Sequence, residues 1–116
     1  MKARRPKKRS PLELKFERIW AEIKGPALVK ELKFIEDRKF RADFAHMESR
    51  TLIEIEGGVF VRGRHMRPGG FINDCEKYYL ATMNGWSVIR LTPNMITADI
   101  LSEIAAFTGD VPFSAQ

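Results

Sequence analysis

The chain has one cysteine, Cys75, and two histidines among its 116 residues. A single thiol cannot form an internal disulfide, so nothing argues for an oxidising compartment, and a reducing cytoplasm is the simpler expectation. Cys75, His46 and His65 show neither C-x-x-C nor H-x-x-x-H spacing, which speaks against a zinc site. No apolar run approaches the roughly 18 residues of a membrane span, and no signal-peptide core follows the basic start. The glycines match neither the Walker nor the dinucleotide-binding pattern, so nucleotide cofactors are not expected.

Positive charge is abundant. Twenty Lys and Arg stand against 15 Asp and Glu, a net charge of +5, with an isoelectric point near 9.6. Such a balance favours a polyanionic partner, with nucleic acid the first candidate. The start MKARRPKKRS, including Lys7, Lys8 and Arg9, reads either as a flexible arm on phosphates over residues 1–9 or as a solubilising tail. Residues 10–116 suit a single domain large enough to bury a core.

SPLELKFERIWAEIKG has the signals of a helix. Ser10 is the N-cap, Pro11 the first helical residue, Glu13 the capping-box partner, and Gly25 lies near the stop. Leu12, Phe16, Ile19 and Ile23 form its apolar stripe, with Glu13 at the stripe's edge beside Trp20. Strands are expected near 31–36, 39–46 and 51–56, linked by short polar turns and therefore an antiparallel meander. FINDCEKYYLATMNG predicts a second helix ending at Gly85, with Phe71, Cys75, Tyr78 or Tyr79, and Met83 at helical spacing; its lone cysteine reads as core. WSVIRLT is a fourth strand, and Thr97 caps a last helix, ADILSEIAAF. The helix between strands three and four predicts a parallel crossover, giving an α/β fold with a mixed sheet flanked by helices.

LIEIEGG poses the functional question. Side chains alternate along a strand, so Glu54 and Glu56 face the same way, roughly 7 Å apart. On the second strand Phe40, Ala42 and Phe44 share one face, and Arg41, Asp43 and Ala45 the other. Pairing in sequence order then sets Asp43 beside Glu54. Converging carboxylates raise one another's pKa unless a cation compensates, and Mg²⁺ accepts such oxygen ligands. The bland alternative is a solvated sheet face with the glutamates paired to Arg41 or Lys39. Beyond Gly57-Gly58 comes a glycine-rich basic loop with Arg62, Arg64, His65 and Arg67, suited to phosphates or simply to solvent.

The ordered blocks RADFA, LIEIEGG, GRHMRPGGFINDCEKY and GWSVIRLT, after an acidic helix residue, resemble the PD-(D/E)XK nuclease superfamily. The likeness is to small phage-type endonucleases related to archaeal-type Holliday junction resolvases, and GVFVRGRH also looks like a segment of very-short-patch-repair endonucleases. The resemblance covers about residues 10 to 95 and implies a restriction-endonuclease-like core.

It further implies Mg²⁺- or Mn²⁺-dependent DNA cleavage by a homodimer on four-way junctions, in a bacterial cytoplasm if the chain is phage-encoded. Asp43 and Glu54 match the superfamily's metal ligands, Glu13 the first-helix glutamate, and Glu56 stands where the pattern has lysine. Lys77 is the preferred substitute for that lysine and His65 the second, although Lys77 is also three residues from Asp74, the spacing of a surface ion pair. Arg90 reads as either half of a buried pair with an acid or a snorkelling surface residue. Two rival expectations keep the same fold: a mismatch or duplex nicking nuclease, and a non-catalytic DNA-binding protein.

Overall fold

The computed structural model describes residues 10–57 and 68–109. The element order is α1 (Pro11–Glu22), β1 (Val29–Lys33), β2 (Arg41–His46), β3 (Thr51–Ile55), α2 (Pro68–Met83), β4 (Ser87–Leu91), a short 3-10 turn (Pro93–Met95) and α3 (Ala98–Phe107). The strands form one sheet in the order β1-β2-β3-β4, antiparallel across the first three and parallel between β3 and β4. This is the expected α/β mixed sheet flanked by helices.

Helix α1 begins as its capping signals predict. The Glu13 N–H donates to the Ser10 hydroxyl at 3.1 Å, a contact of a kind that contributes about 1 kcal/mol. The helix docks through Phe16, which stacks between Trp20 and Phe44 with ring centroids 5.3 and 4.6 Å away. Trp20 then closes the turn by donating its indole N–H to the Pro26 carbonyl at 2.8 Å. Its ring lies so near Gly25 that a Cβ there would sit 2.3 Å from Trp20 Cε2, so this position, two residues past the C-cap Ile23, requires glycine.

One sheet face packs under α1 and α3, around Phe16, Phe44, Ile53, Leu91, Leu101 and Ile104. The other meets α2 through Ala45, Leu52, Ala81 and Trp86. Helix α2 stops at Gly85, whose φ of 81° is the left-handed conformation that a glycine stop provides.

Three expectations need correction. The first strand lies at Val29–Lys33 and not near 31–36, because residues 34–40 turn away before β2. Ala42 does not share the core of Phe44: it packs with Ala45 on the α2 side, so strict alternation slips at Asp43. Cys75 is exposed rather than core, as are Phe71, Tyr79 and Met83, because α2 turns a different face to the sheet.

Candidate metal centre

The slip at Asp43 belongs to a wider break in the hydrogen-bond ladder. Antiparallel pairing of β2 with β3 runs His46–Thr51, Ala45–Leu52, Phe44–Ile53 and there ends. On the other side, β1 and β2 pair at Lys30–Phe44 and Leu32–Ala42, which sets Glu31 opposite Asp43. The same register carried one step beyond Phe44–Ile53 sets Asp43 opposite Glu54. Three neighbouring strands thus each contribute a carboxylate to one row.

Side chains replace main chain in that row. The Asp43 N–H donates to Glu54 Oε2 at 2.9 Å, and the Ile55 N–H donates to Asp43 Oδ2 at 2.7 Å. The two carboxylates therefore lock each other's strand, satisfying donors that an unbroken ladder would give to carbonyls. Glu31 has a φ of 53°, left-handed backbone inside a strand. The other two non-glycine residues of this kind among the described residues, Lys24 and Arg50, lie at a helix end and in the β2–β3 turn, where chains ordinarily turn. Such a conformation costs a side-chain-bearing residue about 1 kcal/mol or more.

Helix α1 supplies the third direction. Glu13 sits on its buried side with only 7% exposure, held in the first turn by the Ser10 cap. One carboxylate oxygen from each of Glu13, Glu31 and Asp43 lies within 4.8 Å of the other two. Glu13, Glu31 and Asp43 would be the residues to hold a small hard cation there. An all-oxygen, all-carboxylate donor set suits a hard cation such as Mg²⁺ or Mn²⁺. The residues present fit such an ion.

Glu54 stands beside this cluster and is 5% exposed. Lys77, reaching from α2, places its ammonium on Glu54 Oε1 and donates to the Arg41 carbonyl at 2.8 Å. Tyr78 donates to the same Glu54 oxygen at 3.3 Å. Burial pushes the Glu54 carboxyl above the ordinary glutamate value, and Lys77 works against that rise. Tyr78 is pushed up too, first by burial and then by the charges of Glu54 and Glu56, so its phenol stays protonated and remains a donor.

Glu56 has a different role from Glu54. It receives both the Nε and an Nη of Arg90, at 2.8 and 2.6 Å, and Arg90 in turn lies over the Tyr78 ring, 4.6 Å from its centroid. Arg90 thus pairs with an acid but at the surface, where the sequence reading had a buried pair, and Glu56 is placed on Arg90 and outside the cluster of three carboxylates.

Of the site residues read from sequence, Glu13, Asp43, Glu54, Glu56 and Lys77 are all brought to this end of the sheet. His65, Arg62, Arg64 and Arg67, and Lys7, Lys8 and Arg9, lie outside the described residues. Glu31 and Tyr78 were missed. Placing β1 two residues earlier would have set Glu31 opposite Asp43. The choice between Tyr78 and Tyr79 turns on which of them shares the helix face of Lys77, and neighbouring aromatics do not reveal that. Among the described residues, no helix is long and apolar enough to cross a membrane. No family model, curated protein or solved structure matches the chain.

Proposed function

We propose that the chain is a metal-dependent endonuclease that hydrolyses DNA phosphodiester bonds, with branched four-way junctions as its first expected substrate. The observation that supports this most strongly is the meeting of Glu13, Glu31 and Asp43 oxygens within 4.8 Å, beside a Glu54 gripped by Lys77. A positively charged chain that collects carboxylates around one point has the two halves a phosphodiesterase needs: cation ligands, and cations for the substrate backbone.

A bound Mg²⁺ or Mn²⁺ supplies Lewis acidity and a water of lowered pKa. Glu13, Glu31 and Asp43 would hold it, with Glu54 completing the set. The Asp43 N–H and Lys77 both restrain the Glu54 carboxylate, so its oxygens are positioned before substrate arrives. Lys77 brings a positive charge to the place where negative charge builds on the phosphoryl oxygens, the task that the PD-(D/E)XK pattern gives to a lysine on the strand. Arg62, Arg64, Arg67 and the basic start at Lys7, Lys8 and Arg9 would neutralise flanking phosphates.

A second reading, a non-catalytic DNA-binding protein of the same fold, has one observation in its favour. Glu56, where the pattern has lysine, is committed to Arg90. The approach of Lys77 to Glu54 weighs against it.

Labelled four-way junction, linear duplex, mismatched duplex and single strand, incubated with Mg²⁺ or with EDTA, separate these readings. Symmetric junction cuts that need Mg²⁺ and disappear in Asp43→Asn are expected. Preferential nicking of duplex or mismatch would redirect the substrate assignment. Salt-sensitive binding without any metal-dependent cut would establish the non-catalytic reading.

A further inference from the structure

Arg90 reaches the acidic end of the sheet from β4. Parallel pairing sets it beside Glu54, so its side chain leaves the same sheet face, toward α2. There the guanidinium is held on one edge and one face. Its Nε–H and an Nη2–H donate to a single oxygen, Glu56 Oε1, at 2.8 and 2.6 Å. Its Cζ lies over the Tyr78 ring, 4.6 Å from the centroid. Tyr78 is tied to the same acids, with its hydroxyl 3.3 Å from Glu54 Oε1 and 3.5 Å from Glu56 Oε1.

A guanidinium carries its N–H donors in a rigid planar fork. Among the described residues, the outer edge of Arg90, made of Nη1 and the second N–H of Nη2, donates to none. The Arg90 side chain is 46% exposed and that of Glu56 is 15% exposed, so the cation and not its acid meets solvent. Exposed ion pairs add little to stability. An arginine already held in place loses less freedom when it binds an anion, and that is where this arrangement has its effect.

We propose that Arg90 is a phosphate fork, whose outer edge takes two oxygens of a substrate phosphate beside the acidic cluster, with Glu56 as the positioning residue that holds it. The proposal deepens the nuclease reading and rests on it. It also gives Glu56 a task. Where the superfamily pattern has a lysine on β3, this chain has an acid on β3 that holds an arginine from β4, so the strand pair still delivers a cation next to Glu54. Two parallel N–H donors match two phosphate oxygens, a geometry that a lysine ammonium does not offer.

Fluorescence anisotropy with labelled four-way junction and duplex, in Ca²⁺ and across a salt series, tests the fork without a cleavage readout. Arg90→Gln should weaken binding roughly tenfold or more and lower the slope of log affinity against log salt by about one. Arg90→Lys keeps the charge and loses the fork, so it should weaken binding by a similar factor with the slope unchanged. Glu56→Gln and Glu56→Ala remove the same charge, but only glutamine keeps an oxygen for the guanidinium. The alanine variant should bind about threefold or more weaker than the glutamine variant, and the difference should vanish in an Arg90→Gln background. Thermal midpoints should hold throughout, because the pair is exposed. An unchanged salt slope in Arg90→Gln, wild-type affinity in Arg90→Lys, or a Glu56 difference that persists without Arg90 would each overturn the fork and leave the nuclease reading standing. A wild-type chain with no affinity for either DNA would remove that reading, and the fork with it.

Discussion

The strand pair β2–β3 has buried polar residues at both of its ends, and the two ends resolve them in opposite ways. At the turn, His46 Nδ1 lies 2.7 Å from the Ser49 hydroxyl, which lies 2.8 Å from Thr51 Oγ1, and the Ser49 N–H also donates to His46 Nδ1. Those side chains hydrogen-bond to one another, and the ladder beside them is regular. At the far end the ladder parts, and Glu31, Asp43 and Glu54 meet as like charges with Lys77 the cation placed on Glu54. A buried polar group that is matched from within serves the fold. A cluster of acids on neighbouring strands is costly to hold together, and under the proposed function a bound cation would offset that cost.

Substitutions at the two ends should therefore separate stability from activity. The largest effect is expected from Asp43→Asn, which removes a ligand charge while keeping an oxygen for the Ile55 N–H: metal-dependent cleavage falls on the order of a thousandfold, with little loss in a urea melt. Lys77→Met should lower cleavage about a hundredfold, and should also raise the Glu54 pKa by removing the charge that opposes burial, visible by carboxyl NMR.

At the turn, Ser49→Ala deprives His46 and Thr51 of a shared partner and should cost about 1–3 kcal/mol in the same melt, leaving cation binding as it was. Glu31→Gly tests the strained position directly. Relief of the left-handed backbone should add about 1 kcal/mol of stability while cation affinity drops, a gain in one quantity and a loss in the other that no purely structural glutamate would give.

The smallest effect concerns pH. The folded chain holds the Glu54 proton above the ordinary value of 4.5, so between 4.5 and the folded pKa the native state binds more protons than the unfolded one. Stability from this group is greatest below 4.5 and declines as pH rises through the folded value. Glu54→Gln should flatten that decline in melts taken across the range.

Periodicity and punctuation made most of the fold legible. Ser10, Gly25, Gly85 and Thr97 mark helix ends through local chemistry, and the crossover helix implied the parallel β4. Asp43 and Glu54 were legible because antiparallel pairing of adjacent strands makes them neighbours. Glu31 was not, since its placement depends on a strand boundary two residues away and on a backbone conformation that no residue type except glycine announces. The outward face of α2 was also hidden. Phe71, Cys75, Tyr79 and Met83 have the spacing of a core stripe, and only packing shows that Lys77, Tyr78 and Ala81 are the residues turned inward.

The central claim is that Glu13, Glu31 and Asp43 form one cation site. Calorimetric titration of the full chain with Mn²⁺, repeated on Asp43→Asn and on Ser49→Ala, tests it most directly. Saturable binding in the wild type and in Ser49→Ala, lost in Asp43→Asn, is the predicted result. Absence of saturable binding in the wild type, or equal binding in Asp43→Asn, would contradict it.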